Sequence, residues 1–571
     1  MRCSSPCGGP SVDFVLALHS HLPYVLNHGR WPHGSDWLTE AAVDTYLPLL
    51  EALRALDAER VPSPVTIGFT PVLANQLASP VFADELESFL SQRLAACDDA
   101  PASLAATGDA ELLPLVEYWR DRLARLRALF RSVDGDLVGA FRALEDAGRI
   151  EIIGSAATHG FLPLLARDES IRFQLSLGVA EHRRLFGRTP AGCWLPECAY
   201  RPRGAWDPWP GAPHAALRRG IDEHLADAGF RYFFIDSHLA AAGQPLGLYG
   251  NPATGLGAHT HPSLPVPTRR SPYRAYGVLS AGRARVAAFV RDPQASSQVW
   301  SRHEGYPGDP WYLEFHKMRW PGGLKLWRVS GGDVDLGAKA AYDPATAAGR
   351  TAAHGAHFAQ LLGGIADAET RNPEGVIVAP FDTELFGHWW FEGPDFLRET
   401  YRALATESRV RPTTASAHLL AHPPRTGIRL PAGSWGADGD YSMWLGDQTA
   451  WTWLRLWPLE ERFWNTAPAA LADPAAHLVL EQAARSLLLA QSSDWQFIIS
   501  TGAVVDYAER RFGGHCDDLE QLLSALEDGS PGRLAAADVV AAGLARRDDL
   551  FPDVLPSLRD ALEGLRSRTP V

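Results

Sequence analysis

Seven short apolar runs, rich in β-branched residues, punctuate the chain at 12–18, 65–69, 150–153, 191–195, 232–235, 286–290 and 375–379. Amphipathic stretches such as 115–130 and 137–147 lie between some of them, with apolar residues at helical spacing. Buried strands alternating with helices predict an α/β fold around a parallel sheet. Each run ends directly in polar residues: His19-Ser-His21, Thr70, His159, Glu197, Asp236-Ser-His238, Arg291-Asp292 and Asp382-Thr-Glu384. A β/α barrel gathers its active site where strands pass into βα loops, and an open doubly wound sheet also uses its carboxyl ends. The pattern therefore predicts one polar face and leaves closure open.

The spacing of the runs is uneven. Residues 82–148 read as a long helical region. At 200–228 a Pro/Trp-rich stretch leads into a helix, which predicts a small inserted subdomain. From 240 to 276 the chain is rich in Gly and Pro without periodicity, as expected of a long loop over one face. After Pro424 the pattern changes to helical segments at 441–464, 475–490, 519–526 and 534–565. The expected division is a disordered tail over 1–11, a barrel over 12–424 and a C-terminal helical domain over 425–571.

The formal charge of −14 gives no electrostatic reason for binding nucleic acid or an anionic membrane. No apolar stretch reaches the length of a membrane span, and residues 1–10 carry no apolar signal-peptide core. Cys3 and Cys7 have no second pair at zinc-ligand spacing, and Cys97, Cys193, Cys198 and Cys516 are scattered, which suits a reducing compartment. The expected location is the cytoplasm. The 19 Trp do change the picture, because many stand in polar, Gly/Pro-rich segments: Trp31, Trp209, Trp300, Trp311, Trp389, Trp390, Trp435 and Trp444. Flat rings beside polar groups suit sugar faces, although ordinary packing uses the same residues.

Two segments present an acid behind an apolar strand and a proline: Trp194-Leu-Pro-Glu197 and Val376-Ile-Val-Ala-Pro-Phe-Asp382-Thr-Glu384. Two carboxyl groups carried by different strands to one cleft are what glycosidic-bond cleavage requires. One attacks the anomeric carbon and the other protonates the leaving oxygen. Glu384 competes with Asp382 for the second role. His19 and His21, two apart on a strand, face the same side. With His159 and Asp236 they read either as ligands of a divalent metal or as histidines satisfying buried polar groups.

Taken in order, His21-Leu-Pro-Tyr24, the segment 151–163 with His159, Trp194-Leu-Pro-Glu197, Pro380-Phe-Asp382-Thr-Glu384-Leu-Phe-Gly-His388-Trp389-Trp390 and 413–418 resemble the five motifs of glycoside hydrolase family 57. The segment from Arg291 through Trp300 to Gly308-Asp309, and the later Ser434-Trp435-Gly436, look like its 1,4-α-glucan branching-enzyme subgroup. The first motif has Leu22 where the family usually has Gln. The resemblance spans residues 12 to 510 and implies a (β/α)7 barrel with an inserted helical subdomain and a helical C-terminal domain. It implies Glu197 as nucleophile and Asp382 as acid/base of a retaining reaction on an α-glucan, with no cofactor or metal. Arg291, Gly308, Trp435 and Asp494 match glucan-binding positions, Trp300 and Trp444 match aromatic positions lining the cleft, and His21 and His159 belong to the substrate site. Tyr249 is the expected aromatic tip of the loop after Asp236. Other readings remain: an α-amylase or 4-α-glucanotransferase with the same acids, a metal-dependent carbohydrate deacetylase using His19, His21 and an Asp, or a catalytically silent glucan binder. Oligomeric state is not legible.

Overall fold

The structure is a computed structural model that describes residues 11–213, 215–240, 270–279, 285–301, 305–369 and 374–564. Residues 1–10 of the N-terminal tail and 241–269 of the 240–276 loop, Tyr249 among them, lie outside the described residues. The strands are β1 (Val12–Ser20), β2 (Val65–Phe69), β3 (Glu151–Ser155), β4 (Gly192–Trp194), β5 (Gly204–Trp206), β6 (Ala215–Arg218), β7 (Tyr232–Ile235), β8 (Tyr276–Val278), β9 (Ala287–Val290), β10 (Val376–Asp382), β11 (Val410–Pro412) and β12 (Gly427–Ile428).

All seven apolar runs become strands of one parallel sheet in the order β10-β1-β2-β3-β4-β7-β9. Every residue of β1 is buried, as expected of a parallel strand covered on both faces. The sheet curls until β9 meets β10. There the Asp292 N–H donates to the Val378 carbonyl over 2.8 Å, and the antiparallel β8 covers the rest of the β9 edge. The fold is a (β/α)7 barrel.

The long helical insertion lies between β2 and β3, in helices Pro80–Thr107, Leu113–Ser132 and Leu137–Asp146. Leu115, Val116, Trp119, Leu123, Leu126 and Phe130 form the buried stripe of the middle helix. The insert expected at 200–228 differs in detail: an antiparallel hairpin, β5 with β6, precedes its helix Ile221–Asp227. Trp206 anchors the hairpin, donating from Nε1 to the Pro163 carbonyl over 2.8 Å beneath the Arg218 guanidinium. A strand this short between polar residues leaves no alternation to read.

The C-terminal region is helical: Ala450–Ala472, His477–Ala490, Asp494–Thr501, Val505–Asp528, Pro531–Arg547 and Val554–Glu563. His477–Ala490 is apolar on most faces and sits at its centre. Two indoles dock Ala450–Ala472 on the barrel, with Trp457 Nε1 donating to the Leu164 carbonyl over 2.9 Å and Trp464 Nε1 to Ser170 Oγ over 2.7 Å. The helical region therefore packs over one face of the barrel, and the turn from His477–Ala490 into Asp494–Thr501 reaches the strand ends. No helix among the described residues is long and apolar enough to cross a membrane.

Candidate active site

Because the seven strands are parallel, their carboxyl ends converge, and the polar residues that follow each run come together. Ser20 and His21 leave β1, Thr70 leaves β2, His159 follows β3, Glu197 follows β4, Asp236 follows β7, Arg291 follows β9, and Asp382 ends β10 in register with His19. Two of these positions, His159 and Glu197, and the neighbouring Cys198 are strained, with φ of 58°, 59° and 47°. For non-glycine residues the left-handed region costs on the order of 1–3 kcal/mol each, and such strain clusters at functional sites. At Glu197 the turn Pro196–Cys198 swings the carboxylate off the strand axis into the cleft.

Two donors hold that carboxylate. Trp435 Nε1 donates to Oε2 over 2.9 Å and Ser493 Oγ donates to Oε1 over 3.0 Å, while the Trp435 amide donates to the Glu197 carbonyl. Behind Ser493 runs a chain whose direction can be deduced. Burial pushes the His19 and His159 imidazoles well below their ordinary range, so both are neutral. Since the Ser493 hydroxyl proton goes to Glu197, its oxygen accepts from His159 Nδ1 at 2.9 Å. His159 Nε2 is then an acceptor and takes the proton of His19 Nε2 at 2.9 Å. His19 Nδ1 is left buried with no partner and no proton to place, consistent with that tautomer.

His21 stacks on His159 with ring centroids 3.9 Å apart. Its Nε2 meets Asp494 at 3.0 Å and its Nδ1 meets Thr70 Oγ1 at 3.0 Å. Burial alone would raise the Asp494 carboxyl, but the charge and hydrogen bond of His21 hold it down, at about 2. His21, His159 and Asp494 offer donor atoms within 4.8 Å of one another, a spacing that suits a cation. Each of these side chains is already engaged within the network, and Asp236, expected with them, instead takes Arg291 Nη1 at 3.2 Å. Arg291 itself is buried, with its guanidinium 5.8 Å from the Trp435 ring.

Glu197 and Asp382 are both only partly accessible. Burial pushes the Glu197 carboxyl up to about 7, opposed by its Trp435 and Ser493 donors. Asp382 is raised well above the ordinary carboxylate range, first by burial and then by the charges of Glu384 and Glu197, with Arg291 and His21 pulling the other way. The two acids therefore sense each other across one cleft. Glu384 does not face it in the same way: it is 4 % exposed, accepts from the Tyr46 hydroxyl at 2.5 Å and from the His21 amide at 3.1 Å, and is pushed up to about 7 by burial.

The remaining expected residues divide. Trp300, half-buried at the end of helix Pro293–Trp300, lies 6.5 Å from the Phe381 ring beside Asp382. Gly308 is exposed, in the turn Tyr306–Gly308 whose Tyr306 packs on Trp390 of the β10 loop, and no hydrogen bond joins it to the acids among the described residues. Trp444 departs from the expectation that it lines the cleft: it is wholly buried, stacked on Phe161 at 4.7 Å, and supports the wall from behind. The 413–418 motif sits at the opposite end of the barrel, where His418 Nδ1 bonds Asp13 at 2.8 Å at the start of β1. Sequence reasoning missed Ser493 and Tyr46. Ser493 lay beside Asp494 in a segment already singled out, but nothing local marks a serine as the partner of a glutamate 296 residues away.

The profile of glycosyl hydrolase family 57 matches residues 15–431. The chain belongs to that family. A second profile, described as 1,4-alpha-glucan branching enzyme, C-terminal, matches residues 458–558. The family 57 chain is 39% identical over 515 residues to a 1,4-alpha-glucan branching enzyme of Thermococcus kodakarensis, covering 90% of this chain and 73% of that protein. Its fold matches the crystal structure of a GH57-type branching enzyme from Pyrococcus horikoshii with a TM-score of 0.84 at 37% identity, covering 96% of each chain. It also resembles the crystal structure of the α-amylase AmyC from Thermotoga maritima, with a TM-score of 0.75 at 28% identity over 96% of this chain and 99% of that one.

Proposed function

We propose that this family 57 chain is a cytoplasmic 1,4-α-glucan branching enzyme, working by retaining double displacement with Glu197 as nucleophile and Asp382 as acid/base. The observation that carries the roles is what acts on each carboxyl beyond the burial that raises both. At Glu197 two directed hydrogen bonds work against burial and favour the ionised form, whereas at Asp382 the charges of Glu384 and Glu197 add to burial and favour the protonated form. In the first step the Asp382 proton passes to the glycosidic oxygen while Glu197 attacks C1, breaking the α-1,4 bond and forming a glycosyl ester. In the second step Asp382 takes the proton of a glucan 6-hydroxyl, whose oxygen displaces Glu197 from C1 and leaves an α-1,6 branch.

His21, His159, Arg291, Trp300, Gly308, Trp435 and Asp494 serve the glucan subsites in this reading. The catalytic unit spans 12–424 and the helical unit 425–571, with Trp435, Ser493 and Asp494 supplied from the latter. The relatives named as branching enzymes support branching over hydrolysis. The likeness to the α-amylase keeps hydrolysis as the second reading. Linkage analysis after incubation with amylose separates them, with Glu197→Ala as control. A shift in iodine staining with new isoamylase-sensitive branches and few new reducing ends is expected, and a rise in reducing ends without branches would assign hydrolysis instead.

Trp435→Phe tests the nucleophile's environment. The substitution keeps a ring against Trp194, 5.3 Å away, and deletes only the Nε1 donor to Glu197. That donor favours the ionised carboxylate, so its loss raises the Glu197 carboxyl above about 7. The acid limb of the kcat/KM profile is expected to move to higher pH by roughly half a unit to one unit. An unmoved limb would mean that Glu197 does not set it.

A further inference from the structure

Away from the cleft, helices Leu47–Ala58, Leu113–Ser132 and Gly393–Leu404 enclose a cavity of about 280 Å³. Its lining includes three arginines, Arg122, Arg125 and Arg398, and two acids, Glu51 and Asp395. Arg122 and Arg125 are three apart on one helix and so face the same way. The acids are already taken. Glu51 accepts from Arg125 Nε over 2.7 Å, and Asp395 meets Arg398 Nη2 at 3.0 Å.

Arg122 is different. It is 6 % exposed, its guanidinium lies 4.4 Å over the Phe391 ring, and no carboxylate or carbonyl meets it among the described residues. Its Nε is buried without a hydrogen-bond partner. A guanidinium with its Nε buried and no counter-charge in contact among the described residues is costly, because part of its hydration is lost and the ring face replaces it only in part. The cavity beside it is where compensation can enter.

We propose that this cavity binds a small phosphate-bearing ligand, with Arg122 as the principal contact and Arg125 at the rim. Arg125 and Arg398 already hold a carboxylate, so an occupant that engages Arg125 as well as Arg122 gains by offering more charge and more acceptor oxygens than the carboxylate of Glu51 does. A phosphate monoester offers both, in a geometry that guanidinium forks match. A neutral glucan would leave the Arg122 charge unanswered, and the one aromatic face is covered by Arg122 itself. The volume lies just below the ~300–1,000 Å³ of drug-sized pockets, which limits the occupant to something the size of a phosphorylated single sugar. None of the lining residues belongs to the network around Glu197.

The test is titration calorimetry of the full chain with inorganic phosphate and with glucose 6-phosphate, glucose being the neutral control. Saturable binding of at least one phosphate probe is expected, weakened about tenfold or more in Arg122→Met, which keeps the length of the side chain and removes its charge. Arg125→Gln, at an exposed position, guards against misfolding and is expected to weaken the same probe several-fold. The tighter probe distinguishes a sugar phosphate from the free ion. The proposal is overturned if neither probe saturates at millimolar concentrations, if glucose binds as well as they do, or if both variants keep the affinity of the unaltered chain.

Discussion

Glu197→Gln is expected to abolish branch formation, lowering kcat by on the order of 10⁴-fold or more, because removing a covalent nucleophile closes the double-displacement route. Glucan binding should persist, since the His21–His159 stack, the edge contact of Trp435 with Trp194 and the Arg291–Asp236 pair do not depend on the charge. The same variant carries a second signature, in stability. The Glu197 carboxyl lies at about 7 when folded, against 4.5 as its ordinary value, so the folded chain binds this proton more tightly than the unfolded chain. That contribution to stability is full below about pH 4.5 and is lost as pH rises through about 7. An amide at this position, which does not titrate, would carry no such dependence. The thermal midpoint of the variant relative to the unaltered chain should therefore rise more at about pH 8 than at about pH 5. Branch synthesis at an unchanged rate, checked by isoamylase-sensitive linkages from amylose, would remove Glu197 from the mechanism.

The difference between what was legible in the chain and what was not follows from the range of each interaction. Strands announce themselves locally, because a parallel strand is buried on both faces and is apolar over most of its length, as β1 and β10 are between their polar ends. The polar residue behind each strand is equally local, and parallel pairing then brings these residues together without further information. That is why Glu197, His159, Arg291 and Asp382 could be placed on one face from sequence. Hydrogen-bond partners are a different matter. Whether Trp435 touches sugar or carboxylate depends on the path of a loop 238 residues further along, and whether Trp444 lines the cleft or backs it depends on Phe161 and Phe497. Both tryptophans look alike in sequence, each in a polar, glycine-containing segment. The choice between Asp382 and Glu384 had the same character: two acids two residues apart, separated only by the hydroxyl of Tyr46 and the amide of His21 that engage one of them.

That choice yields the second large effect. Asp382→Asn should lower kcat by roughly 10²–10⁴-fold and erase the alkaline limb of the pH–rate profile, because the amide cannot give a proton to the leaving oxygen. Glu384→Gln should behave quite differently. Its carbonyl oxygen can still accept from Tyr46 and from the His21 amide, so the β1 and β10 loops stay joined and kcat should fall by less than about tenfold. The alkaline limb should move to lower pH, since the Glu384 charge is one of the causes that hold the Asp382 carboxyl high. Measuring kcat/KM against pH for both variants reads the two roles separately. If Glu384→Gln silenced the enzyme and Asp382→Asn left a full alkaline limb, the assignments would exchange. The structural case against that exchange is the pair of hydrogen bonds fixing Glu384: a carboxyl that accepts from Tyr46 and a backbone amide is committed to joining two loops, while Asp382, raised and with no such donor among the described residues, is the carboxyl that the proposed mechanism leaves free to give its proton.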